Sequence, residues 1–93
     1  MTPSKGPLYT VQFRRPPEKL LRRLPKDLVE RITEAIDDLA VNPRPPGMTQ
    51  LVGYDYLYRI RVGDWRIIYA IEDDQLIVLV IDVAHRGSVY RNL

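Results

Sequence analysis

Arg59 and Arg61 in the run Tyr58-Arg59-Ile60-Arg61-Val62, and Arg66 in Trp65-Arg66-Ile67-Ile68-Tyr69, flank the dipeptide Gly63-Asp64. A Gly-Asp pair between alternating apolar runs predicts a tight hairpin with positive φ at the glycine. That register sets Arg61 directly opposite Arg66 and puts Arg59, two residues back on its strand, on the same face. Opposed like charges destabilise a sheet, and no Asp or Glu of these two strands falls on that face to answer them. A bound anion would do so, and a phosphate fits the planar forks of several guanidinium groups.

The C-terminal segment adds further polar groups: Arg86, Tyr90 and the single histidine, His85. Strict alternation along the last strand puts Arg86 on the side opposite the other arginines, unless the strand ends or bulges near Ala84; Gly87 permits such an ending. His85 is a possible acid-base group because imidazole titrates near neutral pH, and equally a strand-end residue holding a structural hydrogen bond. Lys19, Arg22, Arg23 and Lys26 form a basic stretch that could track the phosphates of RNA, receive an acidic protein segment, or simply be a solvated helix face. Trp65 and Tyr69 invite a base-stacking role, but their parity assigns them to the core. Tyr54 and Tyr56 are assigned to neither face.

Ninety-three residues make one small domain with a single core. The chain has no cysteine, which excludes disulfides and thiolate metal sites, and one histidine with few clustered carboxylates gives no reason to expect a metal or other cofactor. Residues 1–7 contain Pro3, Gly6 and Pro7 and read as a flexible lead-in to a domain over 8–93. Lacking an apolar leader or membrane span, the chain is expected to be a soluble cytoplasmic protein. Net charge is only +2, but its sign is blocked: residues 14–26 are basic and residues 27–38 acidic. Such blocks steer charged partners more than the total does.

These residues must be positioned by a small set of elements. Tyr9-Thr10-Val11-Gln12-Phe13 alternates as a half-buried strand. Pro16 and Pro17 pre-set a helix running to about Leu24. Leu28, Ile32, Ala35, Ile36 and Leu39 then recur at helical spacing in a longer helix that Asn42-Pro43 stops near Val41. Residues 44–49 read as a loop, after which the period changes to two, with strands near 56–62, 65–71 and 76–83. The expected fold is α+β: an N-terminal strand, a helical hairpin, and an antiparallel meander with the helices on one sheet face. Tyr58, Ile60, Val62, Ile67, Tyr69, Leu76, Val78 and Val80 should face the helices. Ile68, Ala70, Ile77, Leu79, Ile81 and Val83 should lie with the arginines on a partly open basic concavity.

Leu51-Val52-Gly53-Tyr54, the arginine hairpin, and Val83-Ala84-His85-Arg86-Gly87-Ser88-Val89-Tyr90 together resemble the RelE branch of the RelE/ParE toxin superfamily. The resemblance runs in order along nearly the whole chain. It implies a RelE-like fold and a toxin of a toxin-antitoxin pair that cuts mRNA in the ribosomal A site without a metal. The 2′-OH of the RNA attacks the adjacent phosphate and leaves a 2′,3′-cyclic phosphate. It further implies that Arg61 and Arg66 hold the scissile phosphate, Arg59 supports the backbone, Arg86 stabilises the leaving side, and Tyr90 accepts a proton or stacks on a base. Where related toxins commonly carry Lys-x-Lys, this chain has Arg59-Ile60-Arg61, which keeps the charge and removes a lysine base. The implied partners are a cognate antitoxin, the ribosome and mRNA. Two other readings stay open: a ParE-like inhibitor of DNA gyrase, and a catalytically inactive module that binds RNA or antitoxin.

Overall fold

The computed structural model describes residues 8–86. Its elements are β1 (Thr10–Phe13), α1 (Arg15–Leu21), α2 (Lys26–Val41), β2 (Thr49–Gln50), β3 (Leu57–Val62), β4 (Trp65–Glu72) and β5 (Ile77–His85). They build one five-stranded sheet in the order β1-β5-β4-β3-β2. β1 runs parallel to β5, and the remaining neighbours are antiparallel. Among the described residues no helix is long and apolar enough to cross a membrane.

Local chemistry fixes the helix limits. α1 stops at Leu21 rather than Leu24, because the chain tightens there: Arg22 N–H donates to Lys19 O (3.2 Å) and Arg23 N–H to Leu20 O (2.9 Å). These are i→i+3 bonds, and Pro25 then disfavours helical backbone at Leu24. At the other end of α2, Asn42 is extended at φ −141° and ψ 97°, as a residue before proline must be.

α2 presents Ile32, Ile36 and Leu39, each at most 1% exposed, to Ile60, Ile67, Tyr69, Val78, Val80 and Val83 of the sheet. Leu20, Leu21, Leu24 and Leu28 extend the same core. Trp65 packs against it and Tyr69 lies fully inside it, as their parity predicts. The Tyr69 hydroxyl donates to Pro43 O at 2.8 Å, which satisfies the one polar atom this ring carries inward. Burial pushes its pKa up to about 12.

The opposite face departs from the expected open concavity. Leu57, Ile68, Ala70 and Ile81 are buried there and form a second cluster with Leu51 and Leu79. The three hairpin arginines are gathered at one end of that face. β2 is a further difference: Thr49, expected in a loop, and Gln50 pair with Arg59 and Tyr58 and give β3 a short neighbour. Leu76, expected in the last strand, instead closes the β4–β5 turn at φ +56°. That left-handed conformation costs an L residue about 1–2 kcal/mol, and the strand starts one residue later.

A three-way polar clasp joins β1, the β4–β5 turn and the segment after α2. Tyr9 OH donates to Asp73 Oδ1 (2.6 Å), and Arg44 donates through Nη1 and Nη2 to the two Asp73 oxygens (3.2 and 2.9 Å). Arg44, and then Tyr9, hold the Asp73 carboxyl down at about 2. The same contact with Asp73 raises the Tyr9 phenol above its ordinary value. A carboxyl depressed in the folded state contributes stability above its unfolded pKa of roughly 4 and loses it as pH falls through about 2. The urea midpoint of the wild type should therefore lose an increment between those values that Asp73→Asn never has. Parallel pH profiles for the two proteins would contradict this.

Candidate functional site

The hairpin forms as its sequence dictates. Gly63 takes φ +59° at the first central position, and the register pairs Arg61 with Arg66 and Arg59 with Ile68. Arg61 is exposed, while Arg59 and Arg66 are half-buried. Three guanidinium groups thus share one face at the hairpin end of the sheet, beside the buried Ile68 and Leu57.

Whether Arg86 joins them depends on the last strand. Along β4 and β5 the pairing runs Glu72↔Ile77 to Tyr69↔Val80, then resumes at Ile68↔Asp82. One extra residue on β5 is therefore accommodated between Ile68 and Tyr69 as a β-bulge, which reverses the parity of everything after it. Three corrections follow. Val83 sits in the helix-side core instead of with the arginines. Asp82, 6% exposed, stands opposite Ile68 and so shares the arginine face, diagonal in register to Arg66. Ala84 stands opposite Arg66, which brings Arg86, two residues on, to the arginine face as well.

Two carboxylates thus lie at this end of the sheet: Asp82, carried to the arginine face by the bulge, and Asp64 of the turn. Arg86 N–H donates to Asp64 O at 2.8 Å, and Arg86 Nη1 lies 3.8 Å from Asp64 Oδ1. The signal for Asp82 was an ionisable residue in an otherwise apolar run, Leu79 to Ala84.

The other candidates are placed elsewhere. His85 pairs with Trp65 on the helix-side face, their rings meeting edge-on with centroids 5.4 Å apart. Lys19, Arg22, Arg23 and Lys26 are exposed on the helical layer, and Arg22 lines an open groove there with Phe13, Leu21 and Val29. Their neighbours Leu20, Leu21 and Leu24 pack in the helix-side core, so this basic stretch and the arginine hairpin flank different faces of the sheet. Tyr54 and Tyr56 lie exposed in the turn between β2 and β3. Tyr90 lies outside the described residues.

The fold and site together define a small α+β domain with its helices on one sheet face and a cluster of arginines at the hairpin end of the other. Residues 8–90 match the model of the ParE toxin family of type II toxin-antitoxin systems, parDE. Among characterised relatives, toxin RelG of Mycobacterium tuberculosis is 30% identical over 84 residues, covering 89% of this chain and 97% of RelG. The archaeal RelE-RelB complex of Pyrococcus horikoshii OT3 contains a chain with a TM-score of 0.76 and 30% identity, covering 88% of this chain and 99% of that one. The toxin-antitoxin complex RelBE2 of M. tuberculosis gives 0.74 and 26%, covering 90% and 98%. The chain therefore belongs to the RelE/ParE family of type II toxin-antitoxin toxins, with relatives of the RelE kind.

Proposed function

We propose that the chain is a ribosome-dependent mRNA endoribonuclease that cleaves in the A site. The observation that carries this reading is the convergence of Arg59, Arg61, Arg66 and Arg86 on one face, the last of them through the β5 bulge. Attack of a 2′-OH on the adjacent phosphate builds negative charge on the non-bridging oxygens, and cations already in place stabilise it without reorganising. Arg61 and Arg66, directly opposed, are the pair for those oxygens. Arg59, two residues along β3, supports the neighbouring backbone, and Arg86 faces the departing 5′ oxygen.

Arginine stays protonated, so none of these groups is the base. Tyr90 takes that role in this reading, as the resemblance to RelE-type toxins implies, and a guanidinium beside a phenol would favour its phenolate. The register that sets His85 on the other face supports Tyr90 over His85 as proton acceptor. The ribosome supplies the alignment of the 2′-OH with the phosphate.

Several solved relatives are toxin-antitoxin complexes, which supports a cognate antitoxin for this chain too. The exposed basic residues of the helical layer beside the Phe13 groove are a fitting surface for an acidic antitoxin segment or for ribosomal RNA.

The alternative with the same fold is gyrase inhibition, and product chemistry separates the two. Fragments ending in a 2′,3′-cyclic phosphate and beginning with a 5′-OH, with gyrase supercoiling unaffected at the same toxin concentration, are the expected result. Intact mRNA together with inhibited supercoiling would move the assignment to a ParE-like activity.

A further inference from the structure

We infer that Asp64 is a positioning residue for Arg86. The inference rests on the nuclease reading above. Asp64 is the second central residue of the turn between the two arginine strands, and Trp65↔His85 is the last pair of the β4–β5 ladder. Asp64 and Arg86 are the next step of that ladder: the Arg86 N–H donates to Asp64 O at 2.8 Å. The side chains repeat the contact, with Arg86 Nη1 3.8 Å from Asp64 Oδ1. One turn residue therefore holds the backbone of Arg86 and faces its guanidinium.

Gly63 has φ +59°, a backbone conformation that favours glycine, and a Cβ there would stand 3.0 Å from Arg31 Nη2, so the end of an α2 side chain lies beside the turn. Asp64 thus offers its carboxylate from the two-residue turn that closes the β3–β4 ladder.

A carboxylate at the rim of a surface built to receive phosphate is a liability unless it has a task. Without a partner, an arginine just past the end of a strand samples many rotamers, and leaving-group stabilisation needs it in one. The Asp64 contact narrows that choice. Both side chains are about two-thirds exposed, at 65% and 69%, so the ion pair is screened and contributes little to folding. For the same reason it yields readily when a doubly liganded phosphate competes for the guanidinium. Asp64 should therefore affect the rate of cleavage and leave both stability and ribosome affinity nearly untouched.

Asparagine tests this well, because it suits the same turn position and removes only the charge. Single-turnover mRNA cleavage on programmed ribosomes would be followed for the wild type, Asp64→Asn, Arg86→Ala and the double variant. Asp64→Asn is expected to lower the saturating rate on the order of tenfold, with half-saturating toxin concentration and urea midpoint unchanged. In the Arg86→Ala background it should produce no further loss, since its effect passes through Arg86. Asp64→Asn cutting as fast as wild type, or a loss that multiplies with that of Arg86→Ala, would overturn the inference while wild-type cleavage keeps the nuclease reading intact. A wild-type protein that makes no cuts would remove both.

Discussion

Arg66→Ala is expected to slow single-turnover mRNA cleavage about 100- to 1,000-fold, the loss that follows removal of one preorganised donor from an anionic transition state. Arg66 is the group whose position is most fully determined: it is paired to Arg61 of β3 on one side and to Ala84 of β5 on the other. Exposed arginines at a strand end can be replaced by a neighbour's swing, whereas a half-buried one on a central strand cannot. Arg66→Lys should fall between, because lysine keeps the charge but loses the planar fork. Arg22→Ala, on the helical layer, should leave the saturating rate within about twofold and alter only the concentration dependence. Equal rate losses for Arg66→Ala and Arg22→Ala would mean that the two act through general charge and not through a site.

The largest effect on stability is expected at Ile32. It is fully buried on α2, and its side chain helps to fasten the helical layer to Ile60, Ile67 and Val80 of the sheet. Ile32→Ala should cost about 2–5 kcal/mol, transfer and cavity terms together. For a domain of this size that lowers the melting temperature by on the order of 10–25 °C. Val52→Ala is the contrast: Val52 is 94% exposed, so its truncation should stay within about 0.5 kcal/mol. Calorimetry of the two variants checks the pair, and a mild Ile32→Ala would mean that the helical layer contributes little to the folded state.

Much of the site was legible because it is local. Gly63-Asp64 determines the hairpin register, and that register alone brings Arg61 to Arg66. The apolar spacing of Ile32, Ile36 and Leu39 likewise reports the buried face of α2. The bulge in β5 was not legible, since alternation carries no mark of an extra residue in a run where Val80, Ile81 and Val83 are all apolar and the sheet buries both of its faces. From that one shift follow the placement of Arg86, the reversal of Val83 and the arrival of Asp82. The partner of Arg86 was hidden for another reason: Asp64 reads as a turn residue, and its contact with Arg86 closes only when β5 is laid against β4. β2 is too short, at two residues, to announce itself by period.

The central claim is that the arginine face cleaves mRNA on the ribosome. Primer extension on an mRNA in a reconstituted translation reaction, with wild type beside Arg66→Ala, addresses it most directly. Cuts confined to the A-site codon are expected for the wild type, and their loss in a folded Arg66→Ala protein. Absence of cuts with folded wild type, or undiminished cuts with Arg66→Ala, would contradict it.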